Sequence, residues 1–164
     1  SATPMATTGS STAPSVPDSV AVSIASASAQ VGELASTVTP SAVSAIVALR
    51  EIARAKNATP DKEIFVIHNL ISSNIVPETI IAAGATPVRT RVGHSLIKDQ
   101  MAATGAVFGG EHSAHYYFSN FWGADNGMLA AMHVLAEFGH QPKSLSTFAA
   151  EFMPYASCQF SQRC

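Results

Sequence analysis

The sequence predicts an α/β fold, a layered α/β/α domain in which helices flank a small mixed sheet. Three observations predict it. Runs rich in β-branched residues, Ile64-Phe65-Val66-Ile67 and Thr86 to Val92, alternate with stretches of helical apolar spacing. The connections are short, and Gly84, Gly105 and Gly139 follow the helical stretches as stop signals. Late in the chain an apolar run ends in Gly109-Gly110, a dense polar segment follows, and the aromatic run Tyr116-Tyr117-Phe118 begins. That order reads as strand, loop, strand, which adds a hairpin to an otherwise alternating chain.

Taken in order, residues 1–38 are mostly Ser, Ala, Thr, Pro and Val, with Asp18 and Glu33 as the charges there. They read as a low-complexity arm or linker, in which Val20, Val22 and Ile24 could form one edge strand. Residues 39–155 read as the folded domain and 156–164 as a tail. Thr39 is placed to cap a helix whose first turn holds Pro40. Val43, Ile46, Val47 and Ile52 supply its apolar stripe, and Arg54 and Lys56 sit in its last turn, where cations are favoured.

The strand Ile64–Ile67 ends in His68-Asn69. A helix is expected from about Pro77 to Ala83. The strand Thr86–Val92 would carry Val88, Thr90 and Val92 on one side and Arg89 and Arg91 on the other. Gly93-His94-Ser95 opens a helix from Ser95 to Thr104. After the hairpin, Asp125 is placed to cap a long helix from Asn126 to Phe138, and Ser144 to Phe152 reads as a last helix.

Composition narrows the function classes. The 164 residues suffice for one domain, and 47% hydrophobic content suffices for a sizeable core. A formal net charge of -2 gives no electrostatic reason to expect nucleic acid or an anionic membrane. No apolar run approaches the roughly 18 residues that span a bilayer. Ser19 to Gln30 has the small residues of a signal peptide but no basic region before it, because Arg50 is the first Lys or Arg. Cys158 and Cys164 form neither a disulfide framework nor a zinc motif, and the expectation is reduced thiols in a cytoplasmic protein.

Three polar turns follow strands: His68-Asn69, Gly93-His94-Ser95 and Glu111-His112-Ser113-Ala114-His115. Ligands of open α/β sheets bind outside the carboxyl ends of the strands, so these turns are candidates to converge. Glu111, an acceptor of two hydroxyl hydrogen bonds at once, suits a vicinal diol, and Ser113 donates or accepts beside it. His94 and His115 are placed to carry a proton or meet a phosphate near neutral pH. Arg91 with Arg89 adds cations. Each has a plainer reading: a histidine at a strand end such as His68 serves more often as a hydrogen-bonded structural residue. His133 reads as packed or solvated in mid-helix, and His140 as exposed. The histidines with Glu111 also invite a metal hydrolase reading, yet no H-E-x-x-H spacing occurs. P-loop, G-x-S-x-G and dinucleotide glycine motifs are absent from the sequence.

The run Thr90-Arg91-Val92-Gly93-His94-Ser95-Leu96-Ile97-Lys98, then Gly105-Ala106-Val107-Phe108-Gly109-Gly110-Glu111-His112-Ser113-Ala114-His115, then Ala124-Asp125-Asn126-Gly127, resembles the α-D-phosphohexomutases, most closely the bacterial phosphomannomutase type. The similarity extends from about Thr39 to about Tyr155. Those enzymes place four domains around one cleft, and this chain resembles the third, which carries the sugar-specificity loop.

The resemblance implies that Glu111 and Ser113 grip the hexose hydroxyls, that His94 faces the substrate phosphate, and that His115 is a candidate proton carrier. It implies a hexose phosphate, mannose or glucose phosphate, and the remaining mutase domains as partners. In the family a phosphoserine in the first domain donates the phosphoryl group, and Mg²⁺ is held by a D-G-D-x-D-R loop of the second. Neither loop is in this sequence, so no metal is expected on this chain and the chain alone is expected to be inactive. Before Thr39 stands Gly32-Glu33-Leu34-Ala35-Ser36 instead, the fourth domain is not represented, and His68-Asn69-Leu70-Ile71-Ser72-Ser73 lacks the lysine many relatives carry after the first strand. The usual Asp-Asp-Gly is Asp125-Asn126-Gly127. A non-catalytic interaction or regulatory module that retains the fold is the alternative reading, and a histidine-based metal hydrolase the third.

Overall fold

A computed structural model of the chain describes residues 38–152. The arm with its expected edge strand, and the tail with Cys158 and Cys164, lie outside the described residues. Helix α1 spans Pro40–Ala58, and the Thr39 side chain accepts from the Ala42 amide at 3.2 Å. Its buried face holds Ile46, Val47 and Ile52 of the expected stripe together with Ala42, Ala45 and Ala48, small residues that let the sheet approach closely.

The remaining elements are β1 Phe65–Asn69, α2 Ile75–Ala82, β2 Thr86–Thr90, α3 His94–Thr104, β3 Phe108–Gly110, β4 Tyr116–Phe118, β5 Ala124–Asp125, α4 Gly127–Phe138 and α5 Leu145–Ala150. The strands form one sheet in the order β2-β1-β3-β4-β5. β1 is parallel to both β2 and β3, whereas β3, β4 and β5 pair antiparallel. The sheet is therefore mixed, because the first three strands are joined through helices and the last three through tight turns.

Strand alternation divides the core into two layers. Val66, Phe108 and Phe118 pack with Ile46, Val47 and Ile52 of α1, Val76 and Ile80 of α2, Ala130 and Val134 of α4, and Phe148 of α5. Their sequence neighbours Ile67 and Tyr117 face the other way and pack with Ile97 and Met101 of α3. A helix layer on each side of a small mixed sheet is the expected α/β/α arrangement. Among the described residues, no helix is long and apolar enough to cross a membrane.

The structure corrects several boundaries. β1 continues through His68 and Asn69, which are strand residues rather than a turn. β2 stops at Thr90, so Arg91 and Val92 are exposed in the turn before α3. Helix α3 starts at His94 rather than Ser95, and α5 ends at Ala150. Gly109 and Gly110 belong to β3, which ends at Gly110 as the sequence suggests. The glycines have a steric reason: a Cβ on Gly109 would sit 3.0 Å from Ile97 Cγ2 of α3, and one on Gly110 would collide with Ser44 of α1. The strand is pressed from both sides, most tightly at Gly110, where a Cβ has no room unless Ser44 shifts. Asp125 is not the cap of α4; Asn126 is, its side chain accepting from the Leu129 amide at 2.9 Å. That leaves the Asp125 carboxylate for the hairpin.

Candidate functional site

The loop between β3 and β4 is short and tightly closed. The Glu111 amide donates to the His115 carbonyl at 2.9 Å, and the Ala114 amide donates to the Glu111 carbonyl at 3.2 Å. Ala114 takes φ 65, a left-handed conformation uncommon for a residue other than glycine. His112, Ser113, Ala114 and His115 are exposed on this turn, whereas Glu111 is turned inward at 2% exposure.

Glu111 follows Gly110 by one residue, so it falls on the α3 side of the sheet, as Tyr117 does. One carboxylate oxygen accepts from the Gly93 amide at 3.3 Å, and the other accepts from the Tyr117 hydroxyl at 3.1 Å. Gly93 is the N-cap of α3, with φ 149, a value that only glycine adopts easily. The Tyr117 oxygen also lies 2.7 Å from His94 Nδ1. Burial raises the phenol pKa, and the Glu111 charge adds to that, so the hydroxyl keeps its proton.

On the outer side of the cluster the His94 and His115 rings meet edge to face, with centroids 6.2 Å apart. His115 Nδ1 lies 2.6 Å from Asp125 Oδ2, and the other Asp125 oxygen accepts from the Tyr116 amide at 2.8 Å. Because a carboxylate only accepts, His115 carries its proton on Nδ1 and leaves Nε2 for other partners.

The structure thus brings four of the sequence-derived residues to one place: His94, Glu111, Ser113 and His115. It does not bring the other two. His68 pairs in register with Gly110 but points to the α1 face, opposite to Glu111. It is 6% exposed, its Nδ1 has no partner, and burial lowers its pKa. Arg91 is exposed two residues before Gly93, and among the described residues no hydrogen bond joins it to the cluster. Two members went unseen in the sequence. Tyr117 had a signal, since a tyrosine in a buried strand must find a partner for its hydroxyl. Asp125 had none, because its neighbour Asn126 is an equally good cap and only the hairpin geometry separates their roles.

Among the described residues no three or more His, Cys, Asp or Glu side chains gather where they could hold a metal ion. The donor set consists of carboxylates each tied to one histidine or phenol, together with backbone amides.

Residues 39–155 match the family model of phosphoglucomutase/phosphomannomutase, alpha/beta/alpha domain III. A phosphomannomutase of Methanocaldococcus jannaschii is 37% identical over 90 residues, covering 55% of this chain and 20% of that protein. A phosphomannomutase of Escherichia coli K12 is 42% identical over 64 residues, covering 39% of this chain and 14% of that one. The chain therefore spans about a fifth or less of these relatives. Among solved structures, a phosphoglucomutase/phosphomannomutase family protein of Burkholderia thailandensis shares the fold with a TM-score of 0.62 at 22% identity, covering 73% of this chain and 25% of that one. With the family model covering nearly all described residues, the chain belongs to the phosphoglucomutase/phosphomannomutase family through its alpha/beta/alpha domain III.

Proposed function

We propose that this chain provides the hexose-phosphate-gripping loop of a phosphomannomutase-type isomerase, which moves a phosphoryl group between two positions of a hexose. The observation that carries the reading is the convergence of His94, at the start of α3, with Glu111 and His115 of the separate β3–β4 turn that also carries Ser113. Glu111 and Ser113 take the ring hydroxyls. Each carboxylate oxygen of Glu111 uses one lone pair on Gly93 or Tyr117 and has another left for a hydroxyl. A carboxylate–hydroxyl pair also accepts the sugar either way round, since vicinal hydroxyls present similar donors in both orientations. His94 meets the phosphate. His115, oriented by Asp125, is the candidate proton carrier.

The carboxylate is nearly covered, so a sugar reaches it only when side chains of the turn move. Binding by this chain alone is therefore expected to be weak. Phosphoryl donation and Mg²⁺ binding belong to other domains in this reading, with the mutase acting in the cytoplasm, and no turnover of mannose phosphate is expected from the chain by itself.

An NMR titration tests the reading. Mannose phosphate at about 10 mM would load a site with Kd of about 1 mM. Its expected effect is perturbation of Gly93, His94, Ser113 and His115, weakened at least several-fold by Ser113→Ala and not reproduced by mannose alone. Perturbations scattered elsewhere, or none, would overturn it in favour of a non-catalytic module. Mutase turnover by the chain alone would overturn the division of labour between domains.

A further inference from the structure

We propose that Tyr117 is a positioning residue whose buried hydroxyl, bridging Glu111 and His94, fixes His94 as the Nδ1–H tautomer. It thereby sets which ring nitrogen is offered to a phosphate.

The argument rests on proton counting. A phenol has one proton to give and lone pairs with which to accept. Glu111 Oε2, 3.1 Å away, takes the Tyr117 proton, because a carboxylate has none to return. The Tyr117 oxygen, 2.7 Å from His94 Nδ1, then has only lone pairs for the ring. His94 Nδ1 must supply the hydrogen. The Tyr117 side chain cannot turn away, being fully buried among Ile67, Ile97 and Met101. The polarity of the chain is set at its far end, where the Gly93 amide also donates to Glu111.

The consequence concerns Nε2. In a neutral His94 with its hydrogen on Nδ1, Nε2 is a lone pair, and a phosphate oxygen offers only lone pairs in return. Such a ring meets a phosphate favourably only after it takes a second proton. Tyr117 thus makes His94 an anion-binding group in its cationic form alone. The groups facing His94 are Tyr117 and Glu111 on the inner side and His115, backed by Asp125, on the outer side, with Lys98 one turn further along its own helix. This consequence rests on the hexose-phosphate reading; the tautomer does not.

Long-range nitrogen–proton NMR of the full chain reads the tautomer directly. It is run at an alkaline pH at which the nitrogen shifts themselves show the rings to be neutral. The expected result is Nδ1–H at His94 and also at His115, which serves as an internal reference through its contact with Asp125. In Tyr117→Phe, His94 should lose its Nδ1–H preference while His115 keeps its own. Nε2–H at His94 in the unsubstituted chain would overturn the proposal, and that measurement stands even if the variant fails to fold. Retention of Nδ1–H at His94 in a folded Tyr117→Phe chain would also overturn it. A chain that shows the tautomer switch but binds no mannose phosphate would sustain the positioning role of Tyr117 and overturn only the hexose-phosphate reading.

Discussion

Two buried glutamates, on opposite sides of the sheet, are each linked to a histidine, and they are compensated in different ways. Glu51 of α1 lies under α4 at 4% exposure. One of its oxygens is 2.7 Å from the Arg54 guanidinium and 3.3 Å from His133 Nε2. Arg50 donates to His133 Nδ1 at 3.3 Å and pairs with Glu137 at 2.9 Å, while the His133 ring stacks on Phe118. The Arg54 guanidinium meets that carboxylate directly, Arg50 stands behind His133, and the network joins α1 to α4. Glu111 is as deeply buried, but its two donors are a backbone amide and a phenol, both neutral. Its negative charge is solvated by dipoles without being cancelled. A buried carboxylate held this way stands beside the exposed His94 and His115, where a ligand would arrive. The Glu51 network, which is charge-balanced and packed, reads as scaffold.

The difference has consequences that can be broken one by one. The largest expected effect is at Glu51. Glu51→Ala removes the acceptor that Arg54 and His133 share, and breaking a fully buried pair costs 3–5 kcal/mol as a rule. The partly exposed Arg54 lowers the expectation to about 2–3 kcal/mol, measurable as a shift of the urea unfolding midpoint. The His94 tautomer should not change. A loss as small as that of a surface substitution would remove the scaffold reading.

Glu111→Gln should be milder for stability, at about 1 kcal/mol, because the amide oxygen still accepts one of the two bonds and the buried charge disappears. The same variant should abolish the mannose phosphate perturbations. Equal stability losses at Glu51 and Glu111 would erase the contrast between the two networks.

The smallest expected effect is a pH slope. Burial lowers the pKa of His133 and of His68, so the unfolded chain binds more protons than the folded one as the pH falls. The contribution of these neutral rings is fully present above the ordinary imidazole value of about 6.5 and is lost as pH falls towards their folded values. At His133 there is a geometric cause as well. A second proton on Nδ1 would face the donating N–H of Arg50. Unfolding midpoints should therefore fall between about pH 7.5 and pH 5, and His133→Gln should flatten part of that slope. A slope unchanged by that variant would assign the effect to His68 or elsewhere.

Much of this fold was legible before any coordinates. Thr39-Pro40 started α1, and the stop signals Gly84 and Gly105 both take left-handed backbone, at φ 70 and φ 69. Those signals are local, because capping and left-handed turns depend on a few adjacent residues. The polar turn at Glu111 was also legible, since its residue types are dense and close in sequence. What could not be read were relations across the sheet. Gly109-Gly110 was readable as the end of a strand, but nothing nearby in the sequence shows that Ile97 and Ser44 press on it from opposite faces. His68 looked like a turn residue because its strand end is defined by pairing with β2 and β3.

The chain by itself determined the order of helices and strands, the apolar stripe of α1, and the identity of the chemistry-bearing turn. Hydrophobic period and turn chemistry act over a few residues, so the sequence contains them whole. Only the tertiary structure decided that Glu111 turns inward, that Tyr117 links it to His94, that Asp125 orients His115 instead of capping α4, and that Glu51 and His133 meet between helices. Each of these depends on residues far apart in the chain, or on opposite strands, reaching hydrogen-bond distance. Geometry of that kind is fixed by strand register and by the closeness of helix packing, and no local pattern carries it.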